Sequence, residues 1–167
     1  KAIAKIIQRM RQTLDIEQIF GATTFELQQA LECDRAVIYR FNPDWSGQFV
    51  SESVASGWIP LMQRQNNEFA LTETAVIEST CAVRTLTDIN NPIKDSDTYL
   101  QETQGGIYNE RTSYRCVPDI YAANFTPCYV EILEQFQVRA YIIVPIFCGN
   151  KLWGLLATYQ NSSPRQW

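Results

Sequence analysis

Apolar and polar positions along this chain follow two periods, and each period marks elements. Residues 2 to 14 place Ile3, Ile6, Ile7, Met10 and Leu14 at helical spacing. From about Ile16 to Leu31 the stripe continues as Ile16, Ile19, Phe20, Phe25, Leu27 and Leu31, which predicts a second helix. Arg35 to Phe41 is rich in β-branched and aromatic residues and reads as a strand. The turn cluster Asn42 to Gly47 follows, and Gln48 to Ala55 reads as the returning strand of an antiparallel hairpin. From about Trp58 to Tyr121 no period is sustained, and Asn90-Asn91-Pro92 and Gly105-Gly106 break the chain. An irregular stretch of that length inside a compact domain usually carries function. A short helix is predicted from Pro127 to about Gln137, with Ile132, Leu133 and Phe136 on its apolar face. Two strong strands close the pattern, Ala140 to Phe147 and Leu152 to Tyr159, joined by a turn at Gly149-Asn150. The order predicts an α+β domain built on an antiparallel sheet.

Composition narrows the function. The chain has 167 residues, 46% of them hydrophobic, which suits one packed domain. Its net charge of -4 leaves no basic field for nucleic acid or anionic lipid, and no segment is apolar enough to predict a membrane span or a signal peptide. Five cysteines (Cys33, Cys81, Cys116, Cys128 and Cys148) with no CxxC pair argue against a disulfide framework and a zinc site. Histidine is absent, which removes the usual general base and metal ligand. The expectation is a cytoplasmic, non-enzymatic module without a metal. Lys1 opens directly into a helical pattern, and Ser162 to Trp167 reads as the start of another helix. Residues 1–167 are therefore expected to be a single domain cut from a larger multidomain protein.

Candidate chemistry gathers at Cys128. Thr126 can cap a helix and Pro127 suits its first position, so Cys128 falls in the first turn. The positive end of the helix dipole there favours a thiolate and hence nucleophilic addition. The bland alternative is an inert buried thiol.

Several longer segments are similar to those of red/green cyanobacteriochromes. They are Asp97-Thr-Tyr-Leu-Gln-Glu-Thr-Gln-Gly-Gly106, the run from Asp119 through Cys128 to Ala140, and the tail Val144-Pro-Ile, Leu152-Trp-Gly-Leu-Leu-Ala and Pro164-Arg-Gln-Trp167. The resemblance covers essentially the whole chain. It implies a GAF domain, with a central antiparallel sheet of about six strands flanked by helices. It also implies a photoreceptor carrying a covalent linear tetrapyrrole, usually phycocyanobilin, with biliverdin or phycoviolobilin as alternatives. Such a pigment isomerises at the double bond between its C and D rings and signals to attached output domains, a histidine kinase or similar.

Matched residue by residue, the resemblance makes Cys128 the bilin-linking cysteine and Asp97 the carboxylate facing the pyrrole nitrogens. Asp95 is the alternative carboxylate. Tyr108 and Tyr159 fall at pocket-lining positions, and Phe125 and Leu156 are candidate apolar walls. A protonated bilin is cationic, so a nearby carboxylate would stabilise its extra proton.

Three positions depart from the family pattern. Tyr129 stands where histidine usually follows the cysteine, Ile107 where an arginine commonly clamps a propionate, and Asp95 in place of a frequent tryptophan. Arg111 is the candidate substitute for the missing arginine. No second cysteine occurs in the Asp-X-Cys-Phe pattern that blue-shifts some relatives. These departures predict a red to far-red dark state and a photoproduct at shorter wavelength. The first helix also offers an apolar stripe for a homodimer through the terminal helices. The competing readings are a GAF domain without photochemistry that binds a metabolite or cyclic nucleotide, and a thiol-based reductase of methionine sulfoxide.

Overall fold

In the computed structural model, the described residues are 2–45, 47–63, 104–125 and 127–167. They form helix α1 (Ala2–Leu31), strands β1 (Arg35–Phe41) and β2 (Gly47–Val54), and a 3-10 turn (Gly106–Asn109). Strand β3 (Arg115–Val117), helix α2 (Pro127–Gln135) and strands β4 (Ala140–Cys148) and β5 (Lys151–Gln160) follow. The strands make one sheet in the order β2-β1-β5-β4-β3, antiparallel throughout. Five strands are described, close to the expected six. The extra strand that periodicity missed is β3, whose three residues are too few to show alternation.

Both hairpins form as their turn chemistry predicts. Cys148 pairs with Lys151, leaving Gly149 and Asn150 as the two loop residues, and Gly149 takes a left-handed φ of 61°. At the end of α2, Gln137 has a φ of 62°, and Val138 N–H returns to the Leu133 carbonyl at 2.9 Å. That left-handed cap stops the helix at Gln135 rather than near Gln137.

The two predicted N-terminal helices are one helix of 30 residues. Nothing between Leu14 and Ile16 can break it, since Asp15 retains a backbone N–H and ordinary dihedral freedom. The apolar stripe of this helix is not what seats it on the sheet. Ile3, Ile6, Ile7, Met10, Leu14, Ile16, Ile19 and Phe25 are exposed, and the residues seated deepest on the sheet are the polar Thr24 and Gln28. Thr24 Oγ1 lies 3.1 Å from Ser51 Oγ, Ser53 Oγ donates to Gln28 Oε1, and Gln28 Nε2 donates to the Asp34 carbonyl at 3.4 Å. The ring of Phe20 packs on Trp153 at 5.3 Å.

The predicted helix after Ser162 does not begin within the chain; these residues are irregular through Trp167. They are anchored instead. Asp34 Oδ2 accepts from the amides of Asn161 and Ser162, and the Arg165 amide donates to the Pro118 carbonyl at 2.9 Å. The Arg165 guanidinium donates to the Leu31 and Glu32 carbonyls, which the end of α1 leaves unpaired.

Alternation along the strands separates two faces. On one lie Val37, Tyr39, Phe41, Ile143, Tyr141, Leu155, Ala157 and Tyr159, which pack with Leu133 of α2 and with Phe136 just after it into the core. The other face receives α1. The α2 side carries the candidate site.

Candidate functional site

Helix α2 is short, and its inward positions Tyr129 and Leu133, with Phe136 just past its end, are each 2% exposed or less. Cys128 lies in its first turn, directly after Pro127. The adjacent Tyr129 points into the core, where its hydroxyl meets that of Tyr141 at 3.2 Å. The Phe125 ring stands edge-on to Tyr129, 84° between planes and 4.7 Å between centroids. Tyr141 in turn packs edge-on to Tyr159 at 6.5 Å. Phe125, Tyr129, Tyr141 and Tyr159 thus form a continuous aromatic row from the start of α2 across the sheet. Edge-to-face geometry of this kind suits the ring quadrupoles and fixes each ring against its neighbour.

Tyr108 is 1% exposed in the 3-10 turn and belongs to the same core. The turn is entered through Gly105, whose φ is 99°. A Cβ there would sit 2.5 Å from the Leu152 side chain, so only glycine admits this approach. Burial raises the Tyr159 phenol well above its ordinary range, against the opposing effect of nearby Arg35.

Of the residues singled out from sequence, Tyr108, Phe125, Tyr129 and Tyr159 are gathered on the α2 side of the sheet. Leu156 is not among them. It pairs with Ile38 and Val144, one residue out of phase with Leu155 and Ala157, and so belongs to the face that receives α1. Asp95 and Asp97 lie outside the described residues, as does the Cys128 side chain. Arg111 is engaged elsewhere, with its guanidinium 3.5 Å from Asn150 Oδ1 and over the Phe147 ring at 5.1 Å.

Three features escaped the sequence reading. Tyr141 was read as one strand residue among several, and only the register with Tyr159 reveals its place in the row. Arg115 pairs with Ile143 on the α2 face, and its guanidinium stands over the Phe125 ring at 5.8 Å. It places a cation beside the start of the aromatic row. The third is a buried ion pair: Arg35 Nη1 donates to Glu52 Oε2 at 2.8 Å, with side-chain exposures of 0% and 5%. No periodicity signals it, because charged residues are expected outside.

A row of four aromatic rings, three of them tipped with hydroxyls, beside a cation offers flat apolar faces with a small number of placed polar groups, which suits a flat, conjugated ligand bearing anionic groups. Cys33 is buried and burial pushes its thiol up, which suits a structural role. Cys116 and Cys148 are exposed.

The GAF domain model matches residues 15–167. In three dimensions the chain is similar to the green light-absorbing state of NpR6012g4, a red/green cyanobacteriochrome, at 46% identity, covering 92% of this chain and 81% of that one with a TM-score of 0.65. It is also similar to the far-red absorbing dark state of JSC1_58120g3 with bound biliverdin IXa, at 32% identity, 100% and 86% coverage and a TM-score of 0.66. Among curated relatives, a putative methyl-accepting chemotaxis protein of Synechocystis sp. is 28% identical over 99% of this chain. The chain spans 14% of that relative's length. With its sheet, its aromatic row and these likenesses in agreement, the chain belongs to the GAF domain family, among the cyanobacteriochrome GAF domains.

Proposed function

We propose that this domain is a photoreceptor module that holds a linear tetrapyrrole through a thioether to Cys128. The observation that carries the reading is the position of Cys128 in the first turn of α2, next to a buried tyrosine that opens the aromatic row. The helix dipole there favours the thiolate. In the linking reaction the sulfur bonds to a carbon of the unsaturated A-ring side chain, and the thiol proton ends on the pigment; nothing is oxidised or reduced. Phycocyanobilin is the pigment we favour, with biliverdin and phycoviolobilin as alternatives. The chemistry it supplies is light-driven isomerisation at the C/D-ring double bond.

The chain's own residues then have distinct tasks. Tyr129, Phe125 and Tyr159 confine the rings, while Tyr108 closes the side reached through Gly105. Arg115, on the same face, is the cation for a propionate, the task Ile107 cannot perform. Asp97, or Asp95 in its place, is the carboxylate for the protonated pyrrole nitrogens. The dark state absorbs in the red to far-red, because no second thiol of the required pattern interrupts the conjugation. The domain works in the cytoplasm, catalyses nothing itself, and passes its state to attached output domains such as a histidine kinase. The exposed stripe of Ile3, Ile7, Met10 and Leu14 on α1 supports a homodimer through this helix.

Co-expression with a phycocyanobilin pathway tests this reading. Pigmented protein with zinc-induced fluorescence on a denaturing gel is expected, and the band should vanish in Cys128→Ala. Colourless protein, or a link at another thiol, would overturn it. A blue or violet dark-state band would overturn the colour assignment alone. For the dimer, light scattering should show two copies, and Ile7→Glu with Leu14→Glu should give one.

A further inference from the structure

The ion pair Arg35–Glu52 is more elaborate than strand pairing requires. Glu52 lies on β2, and besides Arg35 its carboxylate accepts the amides of Leu61 at 3.0 Å and Met62 at 3.3 Å. Three donors therefore fix the carboxylate, and the carboxylate fixes one end of the guanidinium. The opposite edge of Arg35 is left over: Nε and Nη2 are buried without a hydrogen-bond partner among the described residues. A buried ion pair that served only to join strands could be replaced by apolar side chains at little loss. Two unpartnered N–H groups make that account weaker still.

The register shows what that edge accompanies. Arg35 on β1 is directly opposite Tyr159 on β5. Directly opposed residues of an antiparallel pair share a face, with Cβ atoms only about 5 Å apart. Both side chains are buried, and Tyr159 is the far end of the aromatic row that starts beside Cys128. No hydrogen bond joins the guanidinium to the Tyr159 hydroxyl, so the two charges reach it through space, the guanidinium favouring and the carboxylate opposing loss of its proton. A guanidinium can only donate, whereas a tyrosine hydroxyl can donate and accept.

We infer that the Arg35–Glu52 pair is a positioning device for the Tyr159 hydroxyl: the guanidinium attracts its lone pairs, turns its proton away, and so presents Tyr159 to the ligand as a hydrogen-bond donor for a carbonyl-class oxygen. Glu52 sets how much of the Arg35 charge reaches the hydroxyl. The identity of the ligand rests on the proposed pigment, but the state of the hydroxyl does not.

Two variants separate this role from loosened packing. Arg35→Met removes the positive charge, and Glu52→Gln removes the negative charge while keeping one oxygen for Arg35 and the Leu61 amide; only the longer Met62 bond, which uses the other oxygen, is given up. Protein labelled with 13Cζ-tyrosine, with Tyr159 assigned through Tyr159→Phe, is compared without pigment and after reconstitution with phycocyanobilin. Without pigment, the Tyr159 resonance should move in opposite directions in the two variants, Arg35→Lys should return it most of the way, and exposed Tyr114 should stay fixed. With pigment, the red absorption band should also move in opposite directions. Shifts of the same sign, or no shift in folded variants, overturn the inference. If Arg35→Met does not fold, Glu52→Gln and Arg35→Lys carry the comparison, and absence of movement in both is equally decisive. Parent protein that takes up no pigment would defeat the photoreceptor reading, yet leave the pigment-free measurement standing.

Discussion

Tyr129 shows how much one side chain can be asked to do. It is 2% exposed, it closes the hydroxyl contact with Tyr141, and it supports Phe125 edge-on. Tyr129→Phe keeps the ring contacts and deletes the hydroxyl, so the stability loss should be about 1 kcal/mol, read from denaturant unfolding. A loss several times larger would mean that the hydroxyl supports more than Tyr141. Thiol chemistry is as specific. Cys116 and Cys148 should alkylate readily in native protein, whereas Cys33, buried and with its thiol pushed up, should react only after unfolding. Peptide mapping of iodoacetamide-treated protein reads this directly. At this scale the sequence was informative wherever a residue type is itself the signal. Cys128 after Pro127 and Tyr129 in place of histidine could be read from the letters alone. Arg35 and Tyr141 could not, because their meaning lies in which residue stands opposite them on the next strand.

Elements were legible wherever their period was long or their turn chemistry explicit, as in both hairpins and α2. The corrections have physical causes. One stretch of helix was split because its apolar stripe shifts phase near Asp15, although no residue there breaks a helix. Leu156 was placed on the wrong side because a strand buried on both faces carries no alternation to fix its phase. The seat of α1 carries no hydrophobic signal, because its deepest residues, Thr24 and Gln28, are polar and satisfied by Ser51, Ser53 and the Asp34 carbonyl. Thr24→Val alone leaves Ser51 facing a methyl group and should cost about 1 to 2 kcal/mol, while adding Ser51→Ala should recover part of that loss. A thermal unfolding cycle over the four proteins checks the coupling. Directly after α2, Phe136 is 1% exposed and meets Phe49 edge-on at 6.1 Å. Phe136→Ala should cost about 3 to 5 kcal/mol by opening a cavity.

Over the whole molecule, a few polar ties fix the segments that periodicity left undefined. Asp119, in the chain leading to α2, receives Arg139 Nε at 2.9 Å and Nη2 at 3.0 Å. The hydrogen bonds from Arg139 hold the Asp119 carboxyl below its ordinary range. A carboxylate with a depressed folded pKa stabilises the fold above its unfolded pKa, and that contribution disappears as pH falls through the folded value. Unfolding curves of the parent and Asp119→Asn should therefore differ most near neutrality and converge in acid. A constant difference at every pH would refute the tie.

The anchoring of Arg165 has a mechanical consequence. Its side chain grips the last carbonyls of α1 while its amide holds Pro118, so the helix is clamped near Leu31 and seated by Thr24 and Gln28. Ahead of Phe20, which packs on Trp153, the helix back to Ile3 runs about 26 Å at 1.5 Å per residue. It is a lever arm with its fulcrum at the sheet. A rotation of about 5° at the fulcrum would sweep Ile3 through about 2 Å, so a displacement too small to disturb the packing beneath becomes a stroke longer than a covalent bond at the tip.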